Sequence, residues 1–325
     1  MPVLNPPVTT MPDGKCRRVG VELEFSNLDC EAASAVVASV FGGEPEWQDP
    51  HRIKLRDTEI GDFTIELDMA VAHAADNPKE ESDRILPADI DSALSEALGT
   101  LGTLWLPTEV VCPPLAYDRL ERLDDLIVAL RKAGATGTYA GFLSAFGTHL
   151  NPEVPDPSPE FLVPVLQAYL ILSDWLRAEI GVDVKRRVTP FIDPFPTRYI
   201  RKVLVPSYAP TVAELIDDFL ADNPTRSREL DMLPLFKHLD RHRIDRKLQD
   251  YRINARPTFH YRLPNCDIDN PDWQVVKEWN RWVRVERLAA DKNRLADARA
   301  AYLDHLNSFF SIDWATKSKI WADFE

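Results

Sequence analysis

The run VGVELEF, residues 19–25, sets Glu22 and Glu24 two positions apart in a segment whose odd positions, Val19, Val21, Leu23 and Phe25, are all apolar. That is the period of a half-buried strand, so both carboxylates share the face that the apolar side chains leave. Glutamate gains little from a strand, and residues two apart on one face stand roughly 7 Å from each other. Either this face is wet, which is ordinary, or it lines a cleft where a divalent cation offsets the repulsion, since hard cations such as Mg2+ take carboxylate oxygens.

Other polar side chains fall on similar segments. Glu109 lies in TEVVCPPL on the face opposite Val110, His149 and Asn151 lie near the end of GFLSAFGTHLNPEV, and His260 and Arg262 alternate in TFHYRLP. One histidine on a strand is usually structural; several strand-like segments whose polar groups can meet are less ordinary. In FTIELDMAV, Thr64, Glu66 and Asp68 share a face, and Asp57 precedes the turn residues EIGD. Glu66 or Asp57 is a candidate proton acceptor, a wet hairpin face being the plain alternative. The segment PTRYIRKVL reads as a loop that carries Arg198, Arg201 and Lys202 beside Tyr199, and NARPTF adds Arg256. Guanidinium groups grip phosphate oxygens in pairs, so these are candidate nucleotide contacts or a solvated charge run. No G-x-x-x-x-G-K-[ST] occurs, so nucleotide binding here does not use a glycine cradle.

In order and spacing, GVELEF, EVVCPPL, THLNPEV and RPTFHYRLPN resemble the amidoligase family, a branch of the superfamily that includes glutamine synthetase and glutamate-cysteine ligase, over roughly residues 17–290. The resemblance implies an α+β fold, a curved and mostly antiparallel sheet with flanking helices, and an ATP-dependent carboxylate-amine ligase whose site lies in the concave face. It implies that Glu22, Glu24 and Glu109 hold magnesium, that His149, with Asn151 two residues on, stands near the metal and the phosphorylated carboxyl of the substrate, and that Arg262 contacts phosphate. Glutamine synthetases carry a metal-binding glutamate two residues before that arginine, where this chain has His260. Imidazole still ligates, with a relative preference for Mn2+ over Mg2+, but brings no negative charge. In such chemistry a carboxylate attacks the γ-phosphoryl of ATP, metal ions and arginines neutralise the developing charge, and an amine then displaces phosphate from the acyl phosphate. The implied partners are small-molecule or peptide carboxylates and amines. Two alternatives use the same residues: a metal-dependent hydrolase that activates water, and a nucleotide-binding homologue without turnover, which His260 motivates.

The elements that must position these groups are partly visible. A strand over 17–26 leads to a helix capped by Asp29 and stopped at Gly42 and Gly43. HRIKLRDT and FTIELDMAV read as a hairpin, residues 74–88 as a loop, ADIDSALSEALGTL as a helix, and AYDRLERLDDLIVALRKAG as a helix ending at Gly134. FLVPVLQAYLILSDWLRAEIG is long and apolar enough to suggest a membrane span, but Gln167, Asp174, Arg177 and Glu179 argue for a buried helix. Residues 186–210 read as an ordered loop over the site, 211–250 as short helices, ARPTFHYRLPN as a strand, and the chain from Pro271 as a long helical end. There, Val276, Trp279 and Val283 form an apolar stripe with Trp282 beside it, and the aromatics further on read as exposed, leaving room for a homo-oligomer.

The 325 residues suffice for one large domain over 16–325 behind an irregular arm, 1–15. A net charge of −14 argues against nonspecific nucleic-acid binding and against anionic membranes. Cys16, Cys30, Cys112 and Cys266 are too scattered for a disulfide framework or a zinc knuckle. The opening MPVLNPPVTTMPDGK lacks the pattern of a secretory signal, so a cytoplasmic location is the expectation.

Overall fold

β1 (Arg18–Phe25) pairs along one edge with β5 (Thr108–Val111) and its continuation β6 (Leu115–Ala116), and along the other with β7 (Thr148–Pro152). Outward from β5 follow β4 (Phe63–Leu67), β3 (Arg52–Arg56) and β2 (Glu44–Asp49). Every pairing is antiparallel, which makes a seven-stranded open sheet, and ten α-helices accompany it among the described residues, giving an α+β fold. This computed structural model describes residues 1–67, 107–137, 146–182, 192–250, 252–308 and 313–323. The loop expected over 74–88, the helix ADIDSALSEALGTL and the carboxylate of Asp68 lie outside them.

The strand register explains the opening motif. Leu23, Val110, Ile65 and Ile53 face one another across β1, β5, β4 and β3, and all are buried. The next row, necessarily on the other face, reads Glu24, Glu109, Glu66 and Arg52. The apolar face is covered by α1 (Cys30–Phe41), which buries Ala33, Val37 and Phe41, and Phe41 stacks on Phe63 with ring centroids 5.5 Å apart. Asp29 caps α1 by accepting from the Ala32 N–H (2.8 Å), and Gly42 ends it at φ 69°, a left-handed conformation that glycine adopts without a Cβ penalty.

The structure adds to and corrects the reading of the sequence. EPEWQD forms β2, which the period signal misses because all six residues are exposed on an edge strand. AYDRLERLDDLIVALRKAG divides into a 3-10 helix (Tyr117–Leu123) and α2 (Asp124–Lys132); the first part buries Tyr117, Leu120 and Leu123 at the three-residue period of that helix. PTRYIRKVL is not a loop but contains α4 (Thr197–Leu204), which buries Tyr199, Val203 and Leu204. ARPTFHYRLPN is not a regular strand: Pro257 and Pro264 lack N–H groups, and residues 258–265 run beside β7 through the isolated bridges Glu153–Thr258, Leu150–Tyr261 and Gly147–Asn265. A further bridge, Leu230–Tyr261, adds the segment around Leu230 to the same edge.

α3 (Pro159–Ile180) is, by length and composition, apolar enough to cross a membrane, yet 67% of its apolar window is buried inside this fold. Its polar groups are used there: Gln167 Nε2 donates to the Val203 carbonyl (2.7 Å) and Arg177 pairs with Glu229. α5 (Val212–Asp222) starts in a Thr211–Glu214 capping box, and the short α6 (Leu233–Leu239) and α7 (Arg241–Lys247) follow. The helical end comprises α8 (Val275–Ala290), α9 (Lys292–Asn307) and α10 (Trp314–Ala322). Trp279 and Trp282 are fully buried, as the stripe predicts, while Tyr302 and Trp314, expected at the surface, stack on each other in the core at 4.5 Å. Arg17 joins this end to β1 through a buried bidentate pair with Glu286 (2.6 and 2.7 Å).

Candidate metal centre

On the polar face of β1, three elements deliver a set of buried groups. β1 supplies Glu22 and Glu24, and β7, paired so that Glu22 faces His149 and Gly20 faces Asn151, supplies the second pair. The segment beyond β7 supplies His260. All five residues are buried, and Glu109 on β5 lies opposite Glu24 and is half-buried. His149 stands between the two β1 carboxylates, with Nδ1 2.9 Å from Glu22 Oε2 and Nε2 3.3 Å from Glu24 Oε1. Two triads bring ligand atoms within 4.8 Å of one another: Glu22, His149 and His260, and Glu24, Glu109 and His149. Metal–ligand distances of about 2.1 Å place neighbouring ligand atoms about 3 Å apart and opposite ones about 4 Å apart, so both donor sets fit a divalent ion after small adjustments.

Hydrogen bonds fix the rest. Glu22 Oε1 accepts from Asn151 Nδ2 (3.0 Å) and from Arg256 Nη1 (2.7 Å), and Glu24 Oε2 accepts from the Gly147 N–H (2.7 Å). A carboxylate only accepts, so the Asn151 amide must turn its nitrogen to Glu22 and its oxygen to His260. The His260 Nδ1, 2.8 Å from that oxygen, therefore carries the hydrogen, and Nε2 keeps its lone pair. Burial pushes Glu22 upward, but the hydrogen bond from His149 and the nearby His260 and Arg256 hold its carboxyl well below the usual carboxylate range. Burial is also the main reason His260 lies well below the usual imidazole range, with Glu22 opposing and His149, Arg262 and Arg256 adding to the depression.

A family model described as "Putative amidoligase enzyme" matches residues 15–284. The chain belongs to that family. No curated protein and no solved structure matches it. The segments GVELEF, EVVCPPL, THLNPEV and RPTFHYRLPN, all inside the matched range, are the ones that meet, and they supply Glu22, Glu24, Glu109, His149, Asn151, Arg256 and His260.

The remaining candidates lie elsewhere or in other pairings. Asp57 is exposed in the β3–β4 turn with φ 56°, and its backbone N–H donates to Asp62. Glu66 extends the carboxylate row but is paired with Arg52. In α4, Arg198 pairs with Asp222, Lys202 with Asp218, and Arg201 donates to Asn307 Oδ1 and the Leu306 carbonyl; the Tyr199 ring packs on Phe195 and Phe219. Among the described residues, these α4 contacts do not involve a member of the glutamate–histidine cluster.

Arg262, next to His260, donates to the backbone carbonyl of Arg226. Sequence reasoning missed Arg226 and its neighbour Asp231. The Arg226 Nε is buried without a hydrogen-bond partner, and burial foremost lowers the pKa of that guanidinium, with Arg262 adding and Asp231 opposing. Asp231 is fully buried; Oδ1 accepts from the Leu233 N–H (2.9 Å), Oδ2 has no partner, and burial pushes the carboxyl up to about 6 against the pull of Arg262 and Arg226. These residues lie in a segment joined to the sheet by one bridge, so no periodic pattern marks them.

Proposed function

We propose that this amidoligase is an ATP-dependent carboxylate-amine ligase that forms an amide through an acyl phosphate, on a sheet curved as in the glutamine synthetase catalytic domain. The observation that carries this reading is the convergence of Glu22, Glu24, Glu109, His149 and His260, from four separate segments, into one buried polar cluster. Isolated carboxylates do not tolerate such burial without a cation. A bound Mg2+ or Mn2+ supplies charge neutralisation for the phosphates, and ATP supplies the phosphoryl group that turns a poor electrophile into a good one.

The chain's own residues have the complementary tasks. Glu24, Glu109 and His149, or Glu22, His149 and His260, hold the ion. Arg262 and Arg226, whose guanidinium groups lie close enough to Asp231 to lower its pKa, are the groups assigned to anionic oxygens. Arg256 neutralises Glu22 while its charge also reaches Glu109 and Glu66. Burial keeps water from the reacting groups and strengthens each of these interactions.

The test is release of ADP and phosphate with wild-type and Glu24→Gln protein, in the presence of Mg2+ or Mn2+, across a library of carboxylic acids and amines. The expected result is ADP only when a suitable acid and amine are both present, and at least a hundredfold loss in Glu24→Gln, the order expected for losing one charge-stabilising group. Full activity in the variant contradicts the assignment. The two imidazoles also suit a metal-dependent hydrolase; hydrolysis that proceeds without ATP would favour that second reading.

A further inference from the structure

A cleft of about 490 Å3 opens between the N-terminal arm, the end of α3, α8 and α10, and it shares no lining residue with the glutamate–histidine cluster. Lys277, Arg281 and Arg284 line it from positions i, i+4 and i+7 of α8, which is one face of that helix, and Lys319 adds a fourth cation from α10. Like charges at that spacing repel, yet only two acids, Glu179 and Asp323, line the same cleft. Glu278, buried and paired with Arg281, narrows the excess without cancelling it. In a chain of net charge −14 this is the reverse of the average surface.

The arginines and the lysines are held differently. Arg281 Nη1 donates to Glu278 Oε1 (2.6 Å) and Nη2 to the Glu179 carbonyl (2.9 Å), while Arg284 Nη1 donates to the Ala322 carbonyl (2.9 Å) and pairs with Asp323. The Arg284 guanidinium also lies over the Trp175 ring, 5.9 Å from its centroid. These bonds tie the ends of α3 and α10 to α8 and so fix the shape of the cleft. Lys277 and Lys319 make no ion pair among the described residues, and Trp175, which also lines the cleft, buries its Nε1–H without an acceptor. Unpaired cations beside a buried, low-dielectric wall focus positive potential into the opening.

We propose that this cleft binds a small polyvalent anion bearing phosphate or carboxylate groups. Lys277 and Lys319 capture it with their ammonium groups, and Arg281 and Arg284 offer the N–H groups that their bonds to the protein leave over. The site is separate from the proposed ligase reaction and stands whether or not that reading holds.

The test is calorimetric titration of the full chain, free of divalent ions, with pyrophosphate and with citrate as probes. Wild type is expected to bind at least one of them in a site whose affinity falls as salt rises. Lys277→Gln with Lys319→Gln should weaken that site by about tenfold or more, the order for losing a hydrogen bond to a charged group, and Lys277→Arg with Lys319→Arg, which keeps both charges, should restore it. Lys132→Gln with Lys247→Gln alters the net charge equally at two exposed lysines of α2 and α7, and should bind as wild type does. Tighter binding of pyrophosphate assigns the site to phosphates, and tighter binding of citrate to carboxylates. No binding of either anion overturns the proposal. So does equal binding in wild type and the Lys277→Gln, Lys319→Gln protein, or an equal loss in the Lys132→Gln, Lys247→Gln protein.

Discussion

Asp231 shows how burial and charge set a side chain's behaviour. Its carboxyl is fully buried and half-satisfied, and its pKa rises from the ordinary 3.8 to about 6. A folded-state pKa above the unfolded one means that the folded chain holds the extra proton, so stability falls as pH rises through this window. The penalty is absent below the lower value, complete above the upper one, and amounts to about 3 kcal/mol for a shift of about two units. Asp231→Asn, neutral throughout, is therefore expected to gain on wild type between about pH 4 and 6 and to keep a constant lead above that. Urea denaturation at several pH values checks this, and a lead that does not change with pH contradicts it. The glutamates of the first strand were legible in the sequence because their apolar neighbours fix the face they share. Arg226 and Asp231 were not, because they meet the site through an isolated bridge and hydrogen bonds between segments distant in the chain, which leave no periodic pattern.

At the level of strands and helices, the register does most to make the site. Gly20 faces Asn151 across β1 and β7, and a Cβ there would stand 3.3 Å from Asn151 Cβ and 3.6 Å from Nδ2. That is tighter than ordinary contact, so Gly20→Ala is expected to push Asn151 off its bonds to Glu22 and His260. Divalent-ion affinity should fall about tenfold or more, as when an orienting partner of a metal ligand is lost, with little change in melting temperature; unchanged affinity would show that Asn151 does not matter. Arg17 belongs to the scaffold instead. Arg17→Met leaves Glu286 buried and unpaired, which costs about 3–5 kcal/mol, and Arg17→Met with Glu286→Gln should recover most of that in chemical denaturation. The hairpin, the first helix and the buried α3 followed from periodicity and caps. β2 and α4 did not: one has no buried face to mark it, and prolines and arginines mask the apolar side of the other.

Over the whole molecule, the buried apolar residues from Val19 to Ala322 form one connected cluster, and the N-terminal arm is tied into it. The Leu4 carbonyl accepts from Trp279 Nε1 (3.0 Å), the Leu4 N–H donates to Asn280 (2.8 Å), and Tyr117 donates to Asn5 (3.1 Å). An arm that reads as irregular thus packs on α8. The net charge of −14 disfavours an anionic ligand at long range, so the proposed nucleotide would have to be attracted locally, by the proposed cation and by Arg226, Arg256 and Arg262. This dependence needs no knowledge of the carboxylate or amine to be tested. Calorimetric titration of a non-hydrolysable ATP analogue into the full chain, with and without Mg2+ or Mn2+, should give binding only with the ion, and at least a hundredfold weaker binding in Glu24→Gln and Glu109→Gln. Equal affinity with and without the ion, or in all three proteins, would contradict the reading of this buried cluster as the place where metal and nucleotide meet.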